Sequence, residues 1–394
     1  MIDPIRRPDA PSRREILRRS LALGAAGLVG PRMALAGEDA GPELIVRSRR
    51  PLDAETPVEA FGTFLTPNRL FFVRSHFGAP AVGLTDRWTL TVAGGVRTER
   101  SFGLDDLAGL DQVTIPAVLQ CSGNGRSLFS PTIPGVGWVK GAVGNAEWSG
   151  VRLADLLDRA GVAPGMAHVH LHGADGPPMP RNPPYLRSLP LDRATASTTI
   201  LATQMNGEPL PTLHGGPVRL VVPGWCGNHW IKWLRTLVVA RGEAPGFYMQ
   251  TGYKMPIRPM PPGVDPKPSE LRPVTVLNVK SLIASPSSGG VVRAGRVEVR
   301  GVAWTGGEST VTRVEVATAA GKGSREAWRD ATLDGPARPY AWRPWRLAID
   351  AAPGPLTVRA RATDSSGEVQ PEASPWNKSG YLWNGYDTIA CEVR

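Results

Sequence analysis

Cys121 is the residue in this sequence with the clearest potential for chemistry. It follows an apolar run, residues 114–120, that predicts a buried strand, and it opens a turn of small residues, 122–125, that ends at Arg126. A thiolate beside a cation has a lowered pKa and is a good ligand for soft metals. No other cysteine stands within four residues, which excludes a zinc knuckle or an iron–sulfur cluster here. The pattern therefore predicts a metal ligand, although a lone cysteine is more often a small buried apolar residue.

Three histidines that alternate along one predicted strand offer a rival metal site. In an extended strand His168, His170 and His172 share one face, with about 6.7 Å between neighbours and about 13 Å between the outer two. Adjacent imidazoles could share a zinc ion, but the outer pair is too far apart for all three to bind it easily. We interpret this run as a strand that leads to Gly173 and Asp175.

Other common site motifs are missing from the sequence. The run from Gly123 to Gly125 lacks the third glycine of a dinucleotide loop, and no helix pattern follows it. Neither a Gly-x-Ser-x-Gly elbow nor a His-Glu-x-x-His motif occurs. The lack of Cys-x-x-Cys-His predicts that this chain carries no covalently attached c-type haem.

The segment 119–126, Leu-Gln-Cys-Ser-Gly-Asn-Gly-Arg, resembles the molybdenum-ligand motif of the sulfite oxidase family. The resemblance extends over nearly everything after about residue 45. Further segments match the family in the same order, namely residues 72–76, 144–148, 205–210, 214–219, 223–224, 231–234 and 341–345. Several ordered motifs of this kind are much more specific than any one of them alone.

The resemblance implies an oxo-molybdenum centre held by the Cys121 thiolate and one pterin dithiolene. Arg74, Arg126 and Arg343 match guanidinium groups that line the family's oxyanion pocket, and Trp138 matches an aromatic wall of that pocket. Planar guanidinium groups suit an oxyanion because each can bind two of its oxygens. Positions that hold the pterin and its phosphate are matched by Arg74, His76, Asp175, His214, Arg219 and Lys232.

Three positions depart from the family pattern. Ser75 stands where many members have asparagine, and Gly125 stands where animal and plant enzymes have a further arginine. Thr203 stands at the position that we align with the family's pocket tyrosine. The sequence therefore predicts a pocket that lacks this hydroxyl, which bears on the substrate and leaves the cofactor unaffected.

The activity implied by the resemblance is the oxidation of sulfite to sulfate, with electrons passed one at a time to a separate carrier such as a c-type cytochrome. An alternative within the same cofactor class is another substrate, either a different sulfur compound such as protein-bound sulfane or a different small oxyanion. Two alternatives lie outside that class: a non-catalytic exported β-sandwich binding protein, and a zinc hydrolase built on His168, His170 and His172.

Composition narrows the partners and the compartment. The chain has 394 residues and a formal net charge of +10, to which residues 1–36 contribute seven arginines and three acidic residues. No nucleic-acid motif or basic stacking platform is present, so an anionic substrate or an acidic electron partner is the better use of this charge. Residues 1–36 combine a twin-arginine core, an apolar run of about ten residues and a small-residue cleavage site after Ala36. They predict a signal peptide and a periplasmic protein, exported already folded around its cofactor, with no membrane span.

The elements that must position these residues are predicted to be mostly strands. We expect an α+β, mostly β fold with two domains: a molybdopterin-binding oxidoreductase domain at 44–265 and an immunoglobulin-like β-sandwich at 271–394. The segment 245–273 is rich in proline and is predicted to be a linker or a wrapping segment. The resemblance implies that the sandwich forms a homodimer. Cys226 and Cys391 are expected to be free and structural.

Overall fold

The structure is a computed structural model that describes residues 43–80, 87–320 and 327–394. The predicted signal peptide, 1–36, lies outside the described residues. Strands dominate, as predicted. The N-terminal region, residues 43–273, contains β1 Ile45–Arg49, β2 Leu52–Glu55, β3 Leu90–Gly94, β4 Arg100–Phe102, β5 Gln112–Gln120, β6 Val143–Arg152, β7 His168–Gly173, β8 Leu186–Pro190, β9 Ile200–Met205, β10 Glu208–Pro209, β11 Arg219–Val221, β12 Leu234–Ala240, β13 Lys254–Pro256 and β14 Leu271–Pro273.

The C-terminal sandwich, residues 274–394, follows with strands only. Its strands are β15 Lys280–Ser285, β16 Val291–Val292, β17 Gly295–Trp304, β18 Val311–Ala320, β19 Ala327–Asp330, β20 Thr332–Leu333, β21 Arg343–Ala351, β22 Gly354–Asp364 and β23 Asp387–Val393. The helices are short and lie in the N-terminal region: α1 Leu104–Ala108, α2 Leu153–Ala160, α3 Leu191–Ala194 and α4 Phe247–Gln250. No helix within the described part of the chain is long and apolar enough to cross a membrane.

Two five-stranded sheets build the N-terminal region around one apolar core. In the first, the order is β10-β9-β6-β5, with β11 also paired to β9. In the second, the order is β4-β3-β12-β7-β8. Helix α2 packs on this core through residues 153, 156, 157 and 160, which have the spacing of one helix face, and it ends at Gly161 with a left-handed φ of 71°.

Strand β5 carries the chain into the predicted site. It pairs with β6 along its whole length, from Gln112 opposite Val151 to Gln120 opposite Val143. Its first residues are partly exposed, and its last four, 117–120, are all buried. A strand covered on both faces at its end delivers the next residue, Cys121, into the interior, as the apolar run predicts.

The C-terminal sandwich consists of two sheets that share a second core. Their orders are β15-β17-β21-β20 and β16-β23-β22-β18-β19. In β22 every second residue from Leu356 to Ala362 is buried, which is the period-two pattern that predicted this strand. Cys226 and Cys391 are free, as expected, so the sandwich is held by apolar packing without a disulfide.

A third apolar cluster joins the sandwich to the back of β5. It includes Val118 of β5, Cys226, Trp304 of β17 and Leu382. The Trp304 indole N–H also donates to the Gln120 side-chain oxygen (2.9 Å). The sandwich therefore buttresses the strand end that carries Cys121.

Two segments join the N-terminal region to the sandwich. Residues 274–279 alternate apolar and polar side chains, a pattern typical of a strand, but only Val276 forms a bridge there, an isolated one with Trp225. The proline-rich segment 245–273, predicted as a linker or a wrapping segment, contains α4, β13 and β14. It folds back over the site because its tyrosines have aromatic partners there, as described below.

Candidate active site

A cavity with an empty volume of about 690 Å³ lies at the end of β5. It is formed by the segments that follow several strands together with the loop before β3. Seven of the predicted site residues line this cavity, namely Arg74, His76, Cys121, Asp175, His214, Arg219 and Lys232. Residues from positions 74 to 232 thus converge on one cavity, as the motif matches predicted.

The Cys121 turn is fixed on both sides. The Cys121 amide donates to the Ala142 carbonyl (2.9 Å), and the Cys121 carbonyl accepts from the Asn124 amide (2.9 Å). Gly125 has a φ of 88°, and a Cβ there would lie 2.8 Å from Trp383 of the sandwich. Any side chain would be strained at this position, so the arginine found at this position in animal and plant members of the family has no room here.

Burial raises the pKa of the Cys121 thiol above its ordinary value of 9.0, although Arg74, the Gly123 amide and Arg126 oppose the shift. This corrects the prediction that a neighbouring cation lowers that pKa, because desolvation is the larger effect. Without a metal, Cys121 is therefore a protonated thiol at neutral pH. A bound metal would displace that proton, as it does for thiolate ligands generally.

Positive charge lines the cavity at Arg219, which is buried, and at Lys232, which is half-buried. The Arg219 side chain is 3% exposed; it donates to the carbonyls of His214 (2.8 Å) and Trp230 (3.0 Å), and its Nε has no partner. Burial lowers the pKa of Arg219 to about 9 and, with a contribution from Arg219, that of Lys232 to about 7. Cations so placed are costly unless an anion joins them.

The histidines of the cavity do not add to this charge. Burial lowers the pKa of His214 to about 4 and holds that of His76 well below its ordinary value, with Arg74, Lys232 and Arg187 adding to the effect on His76. Both imidazoles are therefore neutral at pH 7. His214 Nε2 lies 3.2 Å from the Asn68 carbonyl, which makes this nitrogen the donor.

This donor set fits molybdopterin. A thiol that can become a soft metal ligand and buried cations without enough acidic partners are the two features that a metal dithiolene with a phosphate needs. Cys121 would hold the molybdenum, and Arg219 and Lys232 would hold the anionic end. Asp175, His76 and His214 would supply hydrogen-bonding groups around the pterin.

The depressed pKa of Lys232 makes the stability of the cofactor-free protein depend on pH. Lys232 has an ordinary pKa of 10.5 and a folded pKa of about 7, so in this window the unfolded chain binds a proton that the folded chain lacks. Stability then rises with pH. We expect protein produced without molybdopterin to melt at a higher temperature at pH 8.5 than at pH 7, and Lys232→Met to reduce this rise.

The pH range of this measurement stays below 9.0, the ordinary pKa of a thiol. Burial raises the pKa of Cys226 to about 12, so above pH 9.0 this thiol makes stability fall as pH rises. Equal rises in both proteins would contradict the charge assignment.

Tyrosines form a wall of the cavity that the sequence did not predict. The Tyr253 hydroxyl lies 2.7 Å from His76 Nε2, and the His76 ring stacks on Tyr185 at 4.0 Å. Burial keeps the pKa of Tyr253 well above its ordinary value, so the phenol is protonated and shares a hydrogen bond with the neutral imidazole. Tyr253 also lies near Arg74 and Cys121, which both affect its pKa. Thr203, which we align with the family's pocket tyrosine, lies on β9 and does not line the cavity, whereas Tyr185 and Tyr253 from other segments do.

Two predicted pocket residues, Arg343 and Trp138, lie away from the cavity wall. Arg343 begins β21, and its guanidinium donates to the carbonyls of Val311 (3.4 Å) and Gly335 (2.9 Å) within the sandwich. Trp138 is fully buried in the N-terminal core. These placements correct both predictions. The Arg343 guanidinium is hydrogen-bonded to carbonyls of the sandwich, and the Trp138 ring is enclosed in the core.

Arg126 lies close to Cys121 but faces another group. Its guanidinium is 5.5 Å from the centre of the Tyr381 ring, and its Nη1 is 3.3 Å from the Val136 carbonyl. Cys121 still experiences its charge, since Arg126 helps to oppose the rise in the thiol's pKa. The predicted pocket role of Arg126 is thus replaced by an electrostatic one at longer range, with the cation held by an aromatic face.

The histidine strand does not form a metal site. His168, His170 and His172 lie on β7 as predicted, and His170 Nε2 lies 2.8 Å from the Gly242 carbonyl. Within residues 43–80, 87–320 and 327–394 no group of three or more His, Cys, Asp or Glu side chains is placed to hold a metal ion. The zinc hydrolase alternative therefore has no support from this geometry.

Comparisons with known proteins agree with this geometry. Residues 76–248 match the family model of the oxidoreductase molybdopterin binding domain, and residues 272–393 match that of the Mo-co oxidoreductase dimerisation domain. The chain is 34% identical to sulfite oxidase of Arabidopsis thaliana, covering 86% of this chain and 92% of that protein. It is 38% identical to sulfite oxidase of Gallus gallus, covering 86% of this chain and 76% of that protein.

The chain spans less than two thirds of the length of some relatives. It is 35% identical to mitochondrial sulfite oxidase of Mus musculus over 89% of this chain but only 66% of that protein. Among solved structures, the sulfane dehydrogenase SoxCD from Paracoccus pantotrophus superposes with a TM-score of 0.74, at 28% identity and 96% coverage of both chains.

Proposed function

Because this chain belongs to the sulfite oxidase family of molybdopterin oxidoreductases, we propose that it oxidises sulfite to sulfate and passes the electrons to a separate c-type cytochrome. One observation carries the proposal. Cys121, Arg74 and Tyr253 line a cavity that is also lined by the buried Arg219 and the half-buried Lys232. This combination supports the proposed roles of Cys121 as metal ligand, Arg74 as oxyanion-binding group, and Arg219 and Lys232 as cofactor-binding groups.

The cofactor, when bound, supplies oxygen-atom transfer and the storage of two electrons. The chain's own residues bind and orient the substrate. Arg74 keeps its charge, since Tyr253, Asp53 and Cys121 raise its pKa although burial opposes them, and it attracts an anionic substrate to the cavity. A fixed guanidinium also limits the orientations of that substrate, which lowers the entropy cost of reaching a reactive one.

The oxidation of sulfite by water releases two protons and two electrons. The neutral His76 imidazole and the Tyr253 hydroxyl, 2.7 Å apart, supply hydrogen-bonding groups at the cavity. Because burial and the nearby cations Arg74, Lys232 and Arg187 hold the pKa of His76 well below its ordinary value, this imidazole is a poor acceptor, and both protons leave to water. The electrons leave one at a time, because a c-type haem accepts a single electron. The cytochrome is a separate protein, because the sequence of this chain has no attachment motif for a c-type haem.

Export and assembly belong to the same proposal. The twin-arginine pattern at 1–36 supports a periplasmic location, where c-type cytochromes are available. The match of residues 272–393 to a dimerisation domain supports a homodimer. The division into domains at 44–265 and 271–394 remains a prediction.

A sulfane-type substrate is the second candidate, and two observations favour it. The chain is structurally similar to a sulfane dehydrogenase. In addition, only Arg74 of the three predicted pocket arginines lines the cavity, whose wall near it is aromatic. A protein-bound sulfane in persulfide form carries one negative charge and needs less cationic neutralisation than the doubly charged sulfite.

Rates of cytochrome c reduction with sulfite, thiosulfate and nitrite separate the candidates. We expect sulfite to give the highest kcat/KM, because the Arg74 guanidinium offers two parallel donors to an oxyanion. The Arg74→Gln variant should lose roughly 100-fold of that value. A higher kcat/KM with thiosulfate than with sulfite in the wild type would favour the sulfane-type substrate. Activity with nitrite alone would point to another oxyanion.

A further inference from the structure

The hairpin formed by β1 and β2 carries two buried carboxylates and lies outside both regions that match the family models, 76–248 and 272–393. Asp53 is 2% exposed and Glu55 is 1% exposed. Side chains two residues apart on a strand share a face, so both point inward. Acidic side chains are almost never fully buried unless they are paired. Each must therefore have a specific partner.

The partner of Asp53 is the pocket arginine. Arg74 Nη1 lies 3.2 Å from Asp53 Oδ1 and 3.4 Å from Oδ2, and the Ser75 amide donates to Oδ1 (3.3 Å). The backbones are also joined, because Ala54 and Val73 exchange hydrogen bonds of 2.9 and 2.8 Å. Asp53 thus binds the Arg74 guanidinium and also the backbone segment that carries Arg74.

The hydroxyl of Ser75 extends this contact to the cofactor side of the cavity. Ser75 Oγ accepts a hydrogen bond from Lys232 Nζ (2.6 Å), and Lys232 and Asp53 affect each other's pKa. The Asp53 carboxylate therefore faces two of the cations that line the cavity, Arg74 and Lys232. It offsets part of the positive charge that an incoming anion meets.

The partners of Glu55 are different. Glu55 Oε2 accepts from the amides of Val139 and Gly141 (3.1 Å each), and Oε1 pairs with Arg47. These amides precede Ala142, whose carbonyl holds the Cys121 amide. Glu55 therefore supports the scaffold, and its partners Arg47, Val139 and Gly141 do not line the cavity, which makes it a matched control for Asp53.

We propose that Asp53 is a positioning residue of this site, which fixes the Arg74 guanidinium toward the cavity and weakens the cavity's hold on anions. The inference rests on the proposed function for the role of Arg74. It gives a physical reason for a buried carboxylate beside an anion site. A doubly charged product such as sulfate leaves more readily from a cavity whose charge is partly offset, and a fixed guanidinium orients the substrate that follows.

The experiment measures inorganic sulfate binding to the molybdenum-loaded protein by calorimetry, together with kcat and KM for sulfite. Asp53→Asn keeps the shape of the side chain and removes its charge. We expect the sulfate Kd to fall by roughly fivefold, because one opposing charge near the anion is lost. We expect kcat to fall at least about 10-fold, because the guanidinium is no longer fixed, while KM falls rather than rises.

Glu55→Gln separates positioning from general support of the fold. It should lower the melting temperature and leave the sulfate Kd within about twofold of the wild-type value, since no cation of the cavity loses its partner. A second substitution, Asp53→Ser, keeps a hydrogen-bond acceptor for the Ser75 amide and should tighten sulfate binding as Asp53→Asn does. A sulfate Kd that is unchanged or higher in folded Asp53 variants overturns the inference, and so does failure of both variants to fold.

The outcomes also separate this inference from the proposed function. Wild-type protein without molybdenum or without turnover would contradict the proposed function. The comparison of sulfate binding between wild type and Asp53→Asn would still test the contact between Asp53 and Arg74. Wild-type protein with molybdenum and turnover, but with the same sulfate Kd and kcat in Asp53→Asn, overturns the positioning role alone.

Discussion

Cys121→Ser should abolish sulfite-dependent turnover, with a loss of at least about 100-fold. Substitution of groups that only support a metal ligand commonly costs 10- to 100-fold, so loss of the ligand itself should cost no less. The serine hydroxyl is a harder and less acidic donor than a thiol and is a poor substitute for a soft thiolate ligand. The measurement is the rate of cytochrome c reduction, normalised to folded protein.

Cys226→Ala is the matched control for this substitution. Cys226 is fully buried in the cluster that joins the sandwich to β5, and its environment includes Ser122 and Cys121, but it does not line the cavity. We expect it to lower the melting temperature through lost packing and to keep turnover. If Cys121→Ser keeps full turnover and a normal metal content, the ligand assignment is wrong.

Lys232→Met and Arg219→Met should each reduce the molybdenum content to about a tenth or less, because a buried anion that loses its cation is left uncompensated. Without cofactor, the same substitutions should raise the melting temperature, since they remove buried charges that the folded chain holds at a cost. A residue with a purely structural role would lower both quantities. Metal analysis of protein produced with the cofactor checks the molybdenum content. Thermal unfolding of cofactor-free protein checks the melting temperature.

Lys280→Met provides the control for buried charge as such. Lys280 is 1% exposed, and burial lowers its pKa to about 7, as it does for Lys232. It lies in the sandwich between Trp304 and Trp383, away from the cavity wall. We expect its replacement to stabilise cofactor-free protein and to leave the molybdenum content unchanged. An equal loss of molybdenum in Lys280→Met would mean that cofactor retention reports general stability.

The local parts of the site could be predicted from the sequence. The apolar run of β5 specifies a buried strand, and the small residues after it specify a turn, so Cys121 could be placed at a strand end without tertiary information. His214, Arg219 and Lys232 were predicted instead by the resemblance to the sulfite oxidase family, whose motifs at these positions are short and continuous. All of them line the cavity.

The parts that depend on long-range packing could not be predicted in this way. Tyr253 lies in a proline-rich segment that has no strong periodicity, and contacts with residues distant in sequence, among them Tyr381 and His76, hold it in the cavity. A cluster of tyrosines at 248 and 253 was the available signal. Arg343 fails for the opposite reason: its motif matched, but the sandwich carbonyls nearby take its guanidinium.

Metal analysis of protein that was exported with its own residues 1–36 tests the central claim most directly. Elemental mass spectrometry should find about one molybdenum per chain, since one thiolate and one cationic cofactor site line the cavity. The same sample should reduce cytochrome c when sulfite is added. A well-folded, fully matured sample without molybdenum would contradict the account.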